Sequence, residues 1–326
     1  MRTIEFEGPE RIAMGLPDPH PNDFAWGWTS SPPEWEPSRT SDPDGRETWQ
    51  DEWGNTWARL GRFSKGQVVE GALRDWSQLD DYQMPGFDDP ARYQSAKAHF
   101  ASHSDRFRIG DLPGFPFSIM RYLRRMDVFL EDLLAHPDEV NRLRARVVPL
   151  LARCIQQWAA AGADAVMFGE DWGTQERLLI SPALWREIFK PDFMTLCAAA
   201  RRHGLSVFMH SCGYLYDIIP DLIECGIAVL QFDQPLLYGL DRLAEFGGRV
   251  TFWCPVDIQQ VLPTGDADLI EASAREMVEK LGAFGGGFIA GYYGDMPSIG
   301  VRPEWQELAC RAFVKYGGMH GAMART

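Results

Sequence analysis

No stretch of this chain approaches the ~18 consecutive apolar residues that a membrane span needs. The opening residues, MRTIEFEGPERIAMG, also lack the apolar core of a secretory signal. A cytoplasmic protein is therefore expected. Basic residues are in deficit, with 32 Lys and Arg against 46 Asp and Glu, and the net charge of −14 argues against a nucleic-acid or anionic-membrane partner. The Arg121, Arg124 and Arg125 cluster is the one local exception. The six cysteines follow no framework spacing, which excludes a disulfide scaffold; Cys154, Cys197, Cys225 and Cys310 fall in helical stretches and read as core thiols. No strand-like run is followed by a Gly-rich phosphate loop, because GAFGGGF precedes its strand and reads as a helix stop. A dinucleotide-binding open sheet is disfavoured on that ground.

What is present is a regular alternation. Strand-like runs occur at DRFRIG, AVMFG, SVFMH, AVLQF, VTFWC and GFIAG, with helical patterns between them, including a long helix that ends at Gly162. Strands separated by helices pair in parallel through right-handed crossovers. Six strands are visible and eight close a (β/α)8 TIM barrel, so the remaining two must come from the N-terminal third. Residues 105–326 are expected to form the main part of the barrel, with residues 1–104 as an irregular N-terminal extension or cap packed on it. Within that extension, residues 1 to about 50 carry Trp26, Trp28, Trp35 and Trp49 without sustained periodicity. This segment is expected to wrap over the main body, covering the barrel mouth or a neighbouring subunit of a homodimer. The runs ETWQDEWGNTWARL and GQVVEGAL suggest an antiparallel ribbon.

In a barrel of this kind, side chains just beyond the C-terminal strand ends share one mouth. That rule gathers Asp111, Glu170, Asp171, His210, Cys212, Asp233, Gln234, Cys254, Asp257, Tyr292, Tyr293 and Asp295. His210 and Cys212 form an imidazole–thiolate pair suited to Zn²⁺. The bland reading is a hydrogen-bonded strand-end histidine beside a small buried cysteine. Glu170 and Asp171 are candidates for a general base or a third metal ligand, and equally for a capping acidic loop. Asp257 is either catalytic or a capping residue of the following turn, and Tyr293 joins the catalytic candidates. Trp172, Gln175, Asp233, Tyr292 and Asp295 are the expected substrate contacts, with Trp172, Trp253 and the two tyrosines as flat walls for an aromatic or planar ligand.

Residues 162–231, together with FGGRVTFWCPVDIQQVLPTGD and GAFGGGFIAGYYGD, resemble the uroporphyrinogen decarboxylase superfamily in order and spacing. That group includes cobalamin-dependent methyltransferases acting on methanol- and methylamine-derived methyl groups. The resemblance covers roughly Asp127 to Gly317 and implies a (β/α)8 barrel with its site at the C-terminal mouth. Two features of the porphyrinogen decarboxylases are missing, namely the N-terminal arginine-rich stretch and the histidine after the last strand, where Tyr292-Tyr293-Gly294-Asp295 stand instead. The methyltransferase branch uses His-X-Cys after one strand and a further cysteine after the last strand to bind zinc. His210 and Cys212 match the first part; the place of the second falls near Gly294, which leaves Glu170, Asp171, Asp295 or Cys254 as the third ligand.

Three functions are consistent with these residues. The leading expectation is a zinc-dependent methyltransferase-like enzyme that moves a methyl group between a small substrate and a thiol or a corrinoid carried by a partner protein. The alternatives are a metal-free decarboxylase or lyase acting on a small aromatic acid, and a barrel that binds a ligand without catalysis.

Overall fold

In a computed structural model, residues 1–61 and 66–318 are described. Eight parallel strands form one sheet that curls into a nearly closed barrel. They are β1 (Ala13–Met14), β2 (Phe24–Gly27), β7 (Phe107–Asp111), β8 (Ala165–Gly169), β9 (Ser206–His210), β10 (Ile227–Gln231), β11 (Thr251–Cys254) and β12 (Phe288–Ala290), neighbouring in the order β1-β12-β11-β10-β9-β8-β7-β2. The seam between β1 and β2 is tied by the Asp23 N–H donating to the Met14 carbonyl and the Met14 N–H donating to Asp23 Oδ2, both at 2.8 Å.

The two strands absent from the sequence count therefore come from the N-terminal third, but from inside the stretch expected to wrap over the body. The other six barrel strands follow residue 104, and β1 and β2 precede it. Their signal is invisible for a physical reason. β1 has two residues and β2 four, and the β2 run Phe24-Ala25-Trp26-Gly27 is apolar on both faces, so no period of two survives. Behind β2 packs the first helix, α1 (Gln94–Ser102), so closely that a Cβ on Gly27 would lie 2.5 Å from the Phe100 ring.

The segment between β2 and α1 forms a four-stranded antiparallel ribbon of β3 (Arg39–Ser41), β4 (Arg46–Gln50), β5 (Thr56–Leu60) and β6 (Gln67–Glu70). The expected ribbon is thus present. Trp49 and Trp57 stack across β4 and β5 with ring centroids 6.0 Å apart. At its exit the ribbon is laced to α2 (Pro116–Arg124), since the Leu73 N–H donates to the Leu123 carbonyl at 2.8 Å. Gly71 allows this approach, because a Cβ there would lie 2.1 Å from the Leu123 carbonyl oxygen.

Helices cover the outside of the barrel. After α2 comes α3 (Met126–Ala135), and then the longest, α4 (Pro137–Ala161). This helix starts with Pro137 and two acidic residues in its first turn and ends on Gly162 at φ 90°, a left-handed cap. Its buried stripe includes Val140, Leu143, Val147, Leu150, Leu151 and Trp158. The Trp158 indole lies so close to Gly110 that a Cβ there would sit 2.2 Å from it, and its N–H donates to the Asp111 carbonyl at 3.1 Å. This contact seats the mouth end of β7. Inside the barrel, Phe24, Ile109, Met167, Phe208, Val229, Trp253 and Ile289 make a filled interior. Cys154, Cys197, Cys225, Cys254 and Cys310 are buried and Cys212 is exposed. Among the described residues, no helix is long and apolar enough to cross a membrane.

Candidate active site

Alternation along the strands decides what stands above the apolar interior. Two residues beyond Ile109, Phe208 and Val229 come Asp111, His210 and Gln231, which therefore face the mouth. In register, His210 pairs with Gly169 on one side and Gln231 on the other, and Gln231 pairs with Trp253. His210 is thus flanked by a residue without a side chain and by an amide. The Gln231 Oε1 accepts a hydrogen bond from His210 Nδ1, and the Gln231 amide N–H donates to Asp233 Oδ1 at 2.8 Å. A carboxylate that orients an amide, which in turn holds Nδ1–H, leaves the Nε2 lone pair pointing away from the strands.

That nitrogen lies 3.4 Å from Cys212 Sγ and 3.7 Å from Asp171 Oδ1. One ligating atom from each of Asp171, His210 and Cys212 lies within 4.8 Å of the others. Of the four candidates for a third donor, Asp171 converges with the pair, and Glu170, Asp295 and Cys254 do not. The cluster depends on two loops touching. The Asp171 Oδ1 accepts from the Cys212 N–H at 2.8 Å, the Glu170 N–H donates to the His210 carbonyl at 2.9 Å, and the Tyr214 N–H donates to the Thr174 carbonyl at 2.7 Å. Gly173 and Gly213 make this possible. Gly213 adopts φ 78°, and a Cβ on it would fall 2.0 Å from the Gly173 carbonyl oxygen.

Imidazole nitrogen, thiol sulfur and one carboxylate oxygen are a donor set that zinc takes in sites with three protein ligands and an open position. Of the three, His210 also lines a cavity of about 470 Å³, together with Gln231, Asp233, Trp253, Tyr292 and Tyr293, with Trp26 and Met167 among the apolar walls. Its size suits a small ligand.

The remaining expected site residues are distributed differently. Glu170 is fully buried; its Oε1 accepts from the Ser118 N–H at 3.0 Å and its Oε2 from the Trp172 indole N–H at 3.2 Å. Burial pushes its carboxyl up to about 8, against the opposing pull of the Ser118 N–H and the Arg121 charge. It ties the start of α2 to the barrel, behind the mouth.

Trp172 does not wall the substrate space, contrary to expectation. It is fully buried and stacked on Phe117 at 4.1 Å, because its indole N–H is drawn inward to Glu170. Asp257 is also buried, accepting the N–H groups of Gln259, Gln260 and Leu236 at 2.9, 2.7 and 3.1 Å, so it shapes the β11 loop in keeping with its capping alternative. Gln175 and Gln234 exchange amide hydrogen bonds of 3.2 and 3.3 Å, and Gln259 joins them. Asp295 opens the 3₁₀ turn Met296–Ile299, its carbonyl accepting from the Ser298 N–H at 3.2 Å and the Ser298 hydroxyl at 2.8 Å. Asp111 is half-buried at the end of β7, and loss of water raises its carboxyl to about 7.

Gln231 and Trp26 are site residues that strand-end reading does not find. The available signal for Gln231 is a polar residue closing the apolar run IAVL at the same strand position as His210. Trp26 carries no signal, since β2 is not recognisable. Arg121, in sequence only a member of a basic cluster, lies with its guanidinium Nη2 3.7 Å from Asp171 Oδ2.

Residues 64–316 match the sequence profile described as uroporphyrinogen decarboxylase. No curated protein matches the chain at a significant level. Among solved structures, a methyltransferase from Methanosarcina mazei superposes with a TM-score of 0.65 at 17% identity, over 81% of this chain and 76% of that one. Two others are more distant. An endo-beta-1,4-xylanase from Gloeophyllum trabeum has a TM-score of 0.44 at 12% identity, over 71% and 81% of the two chains. A D-psicose 3-epimerase from Clostridium cellulolyticum H10 has a TM-score of 0.44 at 11% identity, over 74% and 86%.

Proposed function

The chain belongs to the uroporphyrinogen decarboxylase family, and from that premise we propose that it is a zinc-dependent enzyme of the methyltransferase kind. Its methyl group would pass between a small substrate and a thiol or a corrinoid carried by a partner protein. The observation that carries this reading is the convergence of Asp171, His210 and Cys212 within 4.8 Å beside an open cavity. The likeness in fold to a methyltransferase agrees with it.

Zinc held by these three residues would supply a Lewis acid that favours the thiolate of a bound thiol or polarises the oxygen of a methyl ether. The chain's own groups prepare that task. Gln231 accepts a hydrogen bond from the Nδ1–H of His210 and so keeps Nε2 as an acceptor; Asp233 holds Gln231 in the rotamer that does this. The Cys212 N–H fixes Asp171 Oδ1 beside the sulfur and nitrogen donors. Trp26, Trp253 and Met167 present apolar surface to the cavity, which suits a methyl-bearing ligand and limits water around it. Tyr292 and Tyr293 line the same cavity, and their phenol groups would orient a polar substituent there.

Elemental analysis of untagged protein tests the reading. About one zinc per chain is expected in the wild type, with loss in His210→Ala and Cys212→Ala. Wild-type protein that holds no zinc after supplementation would sink it. A metal-free decarboxylase is the second reading, supported by Asp111. A carboxyl that keeps its proton close to neutrality at the mouth could deliver it to the carbon left by departing CO₂. Activity that survives chelators would favour that reading. The convergence of polar groups at the cavity speaks against a purely binding barrel.

A further inference from the structure

A second cavity, of about 680 Å³, lies between the ribbon strands β5 and β6 and the helices α2 and α3. Trp57 and Tyr122 meet across it with ring centroids 4.9 Å apart, and Val68, Met126 and Leu130 supply aliphatic wall. Arg121 lines the same cavity and also approaches Asp171, so it stands between this space and the His210–Cys212 cluster.

The state of the Arg121 guanidinium is unusual. The side chain is more than nine-tenths buried, lies over the faces of Phe117 and Tyr122, and its Nε has no hydrogen-bond partner among the described residues. Its remaining contacts are weak: Nη2 to the Tyr122 hydroxyl at 3.2 Å, Nη1 to Met126 Sδ at 3.9 Å, and Asp171 Oδ2 at 3.7 Å, beyond hydrogen-bond length. Glu170 acts on it through charge alone, because its two oxygens accept from Ser118 and Trp172. A buried guanidinium with donors unused is costly unless an anion meets it.

The neighbouring carboxylates meet it only in part: Asp171 stands at ion-pair distance, 3.7 Å, with its other oxygen taken by the Cys212 N–H. Asp127 at the cavity rim is committed to Arg125 through two hydrogen bonds of 2.6 and 2.5 Å, which also removes Arg125 as a competing cation. Among the described residues Arg121 is therefore a cation with one loose ion-pair partner and an unused Nε, beside an otherwise aromatic and aliphatic space.

We propose that this cavity seats a small acid, a carboxylate or comparable oxyanion on an apolar or aromatic body, with the anionic group held by the planar fork of Arg121 and the body against Trp57 and Tyr122. Planar guanidinium suits bidentate recognition of such groups. Seating the acid there turns its anionic end, not its body, toward the His210–Cys212 cluster, so the proposal goes beyond the methyl-transfer reading and names a separate binding site. It does not rest on that reading.

The test uses 4-methoxybenzoate and its neutral amide, 4-methoxybenzamide, as probes, with binding measured by titration calorimetry at constant ionic strength. Wild type is expected to bind the acid at least about tenfold more tightly than the amide, the scale of a charge-assisted hydrogen-bonded pair. Arg121→Met is expected to abolish that preference, Arg121→Lys to retain part of it, and the double variant His210→Ala, Cys212→Ala to retain all of it. Equal affinity for acid and amide in wild type, no binding of the acid, or an unchanged preference in folded Arg121→Met overturns the proposal. Loss of acid binding in the double variant alone would place the acid on the metal and also overturn it, while leaving the zinc reading standing. If Arg121→Met does not fold, Trp57→Ala decides. It is expected to weaken both probes by several-fold and keep their ratio, and unchanged binding there refutes the cavity.

Discussion

The Nδ1 of His210 donates to the side-chain oxygen of Gln231 between two strands paired at those residues. One amide thereby sets the tautomer of the ring that faces Cys212 and Asp171. Replacing Gln231 by Leu should leave the barrel folded and lower zinc affinity by about 10- to 100-fold, the usual effect of removing such an outer partner. Competition with a chromophoric chelator measures it, and unchanged affinity would show that the histidine needs no such support.

Asp111 makes stability depend on pH in a definite direction. Its carboxyl is raised to about 7 in the fold, whereas an unfolded chain ionises near the ordinary value of about 4. Between these values the unfolded state releases the proton first, so this residue's contribution is fully present below about pH 4 and is lost as pH rises to about 7. The loss approaches a few kcal/mol, because each tenfold difference in proton affinity between the two states is worth about 1.4 kcal/mol. Asp111→Asn should therefore raise Tm more at pH 8 than at pH 5; a gap that does not widen with pH would contradict the assignment.

Gly213 should tolerate no side chain. Its φ of 78° and the 2.0 Å approach of a Cβ to the Gly173 carbonyl oxygen predict that Gly213→Ala separates the two loops. A destabilisation of roughly 2 kcal/mol or more is expected from left-handed strain plus the clash. Zinc content, read by elemental analysis on folded protein, should fall with it.

Trp172→Ala should behave as a core truncation, with a loss of about 3–5 kcal/mol in chemical denaturation, since the ring is fully buried on Phe117. Tyr292→Ala, by contrast, removes a side chain that is 40% exposed and should change stability by less than about 0.5 kcal/mol. Equal effects of the two would mean that Trp172 does not sit where this packing places it.

Much of the fold is legible in the sequence because β7 through β12 and their helices carry strong local patterns. AVMFG and SVFMH are buried strands bounded by Gly and by loops, and the long helix before AVMFG announces its own end at Gly162. β1 and β2 are not legible, because short strands buried on both faces have no alternation to read. At the site, His210, Cys212, Asp171, Asp233, Tyr292 and Tyr293 are identifiable from strand-end position alone. Trp172, Glu170 and Asp257 meet the same rule and turn inward, since each finds hydrogen-bond partners in the packed layer behind the mouth.

The chain order of strands and helices, the identity of the residues that follow each strand, and the family are determined by the sequence alone. Which of those residues share a cavity is decided by the tertiary structure. Asp171 joins His210 and Cys212 only because Gly173 and Gly213 let two loops touch, and Gln231 joins them only through the register of β9 and β10. Arg121 likewise acquires meaning from distance, lying on a helix far from Asp171 in sequence and beside it in space. Local sequence encodes backbone preference and side-chain type; convergence of side chains depends on interstrand register and close backbone approach, which are properties of the packed whole.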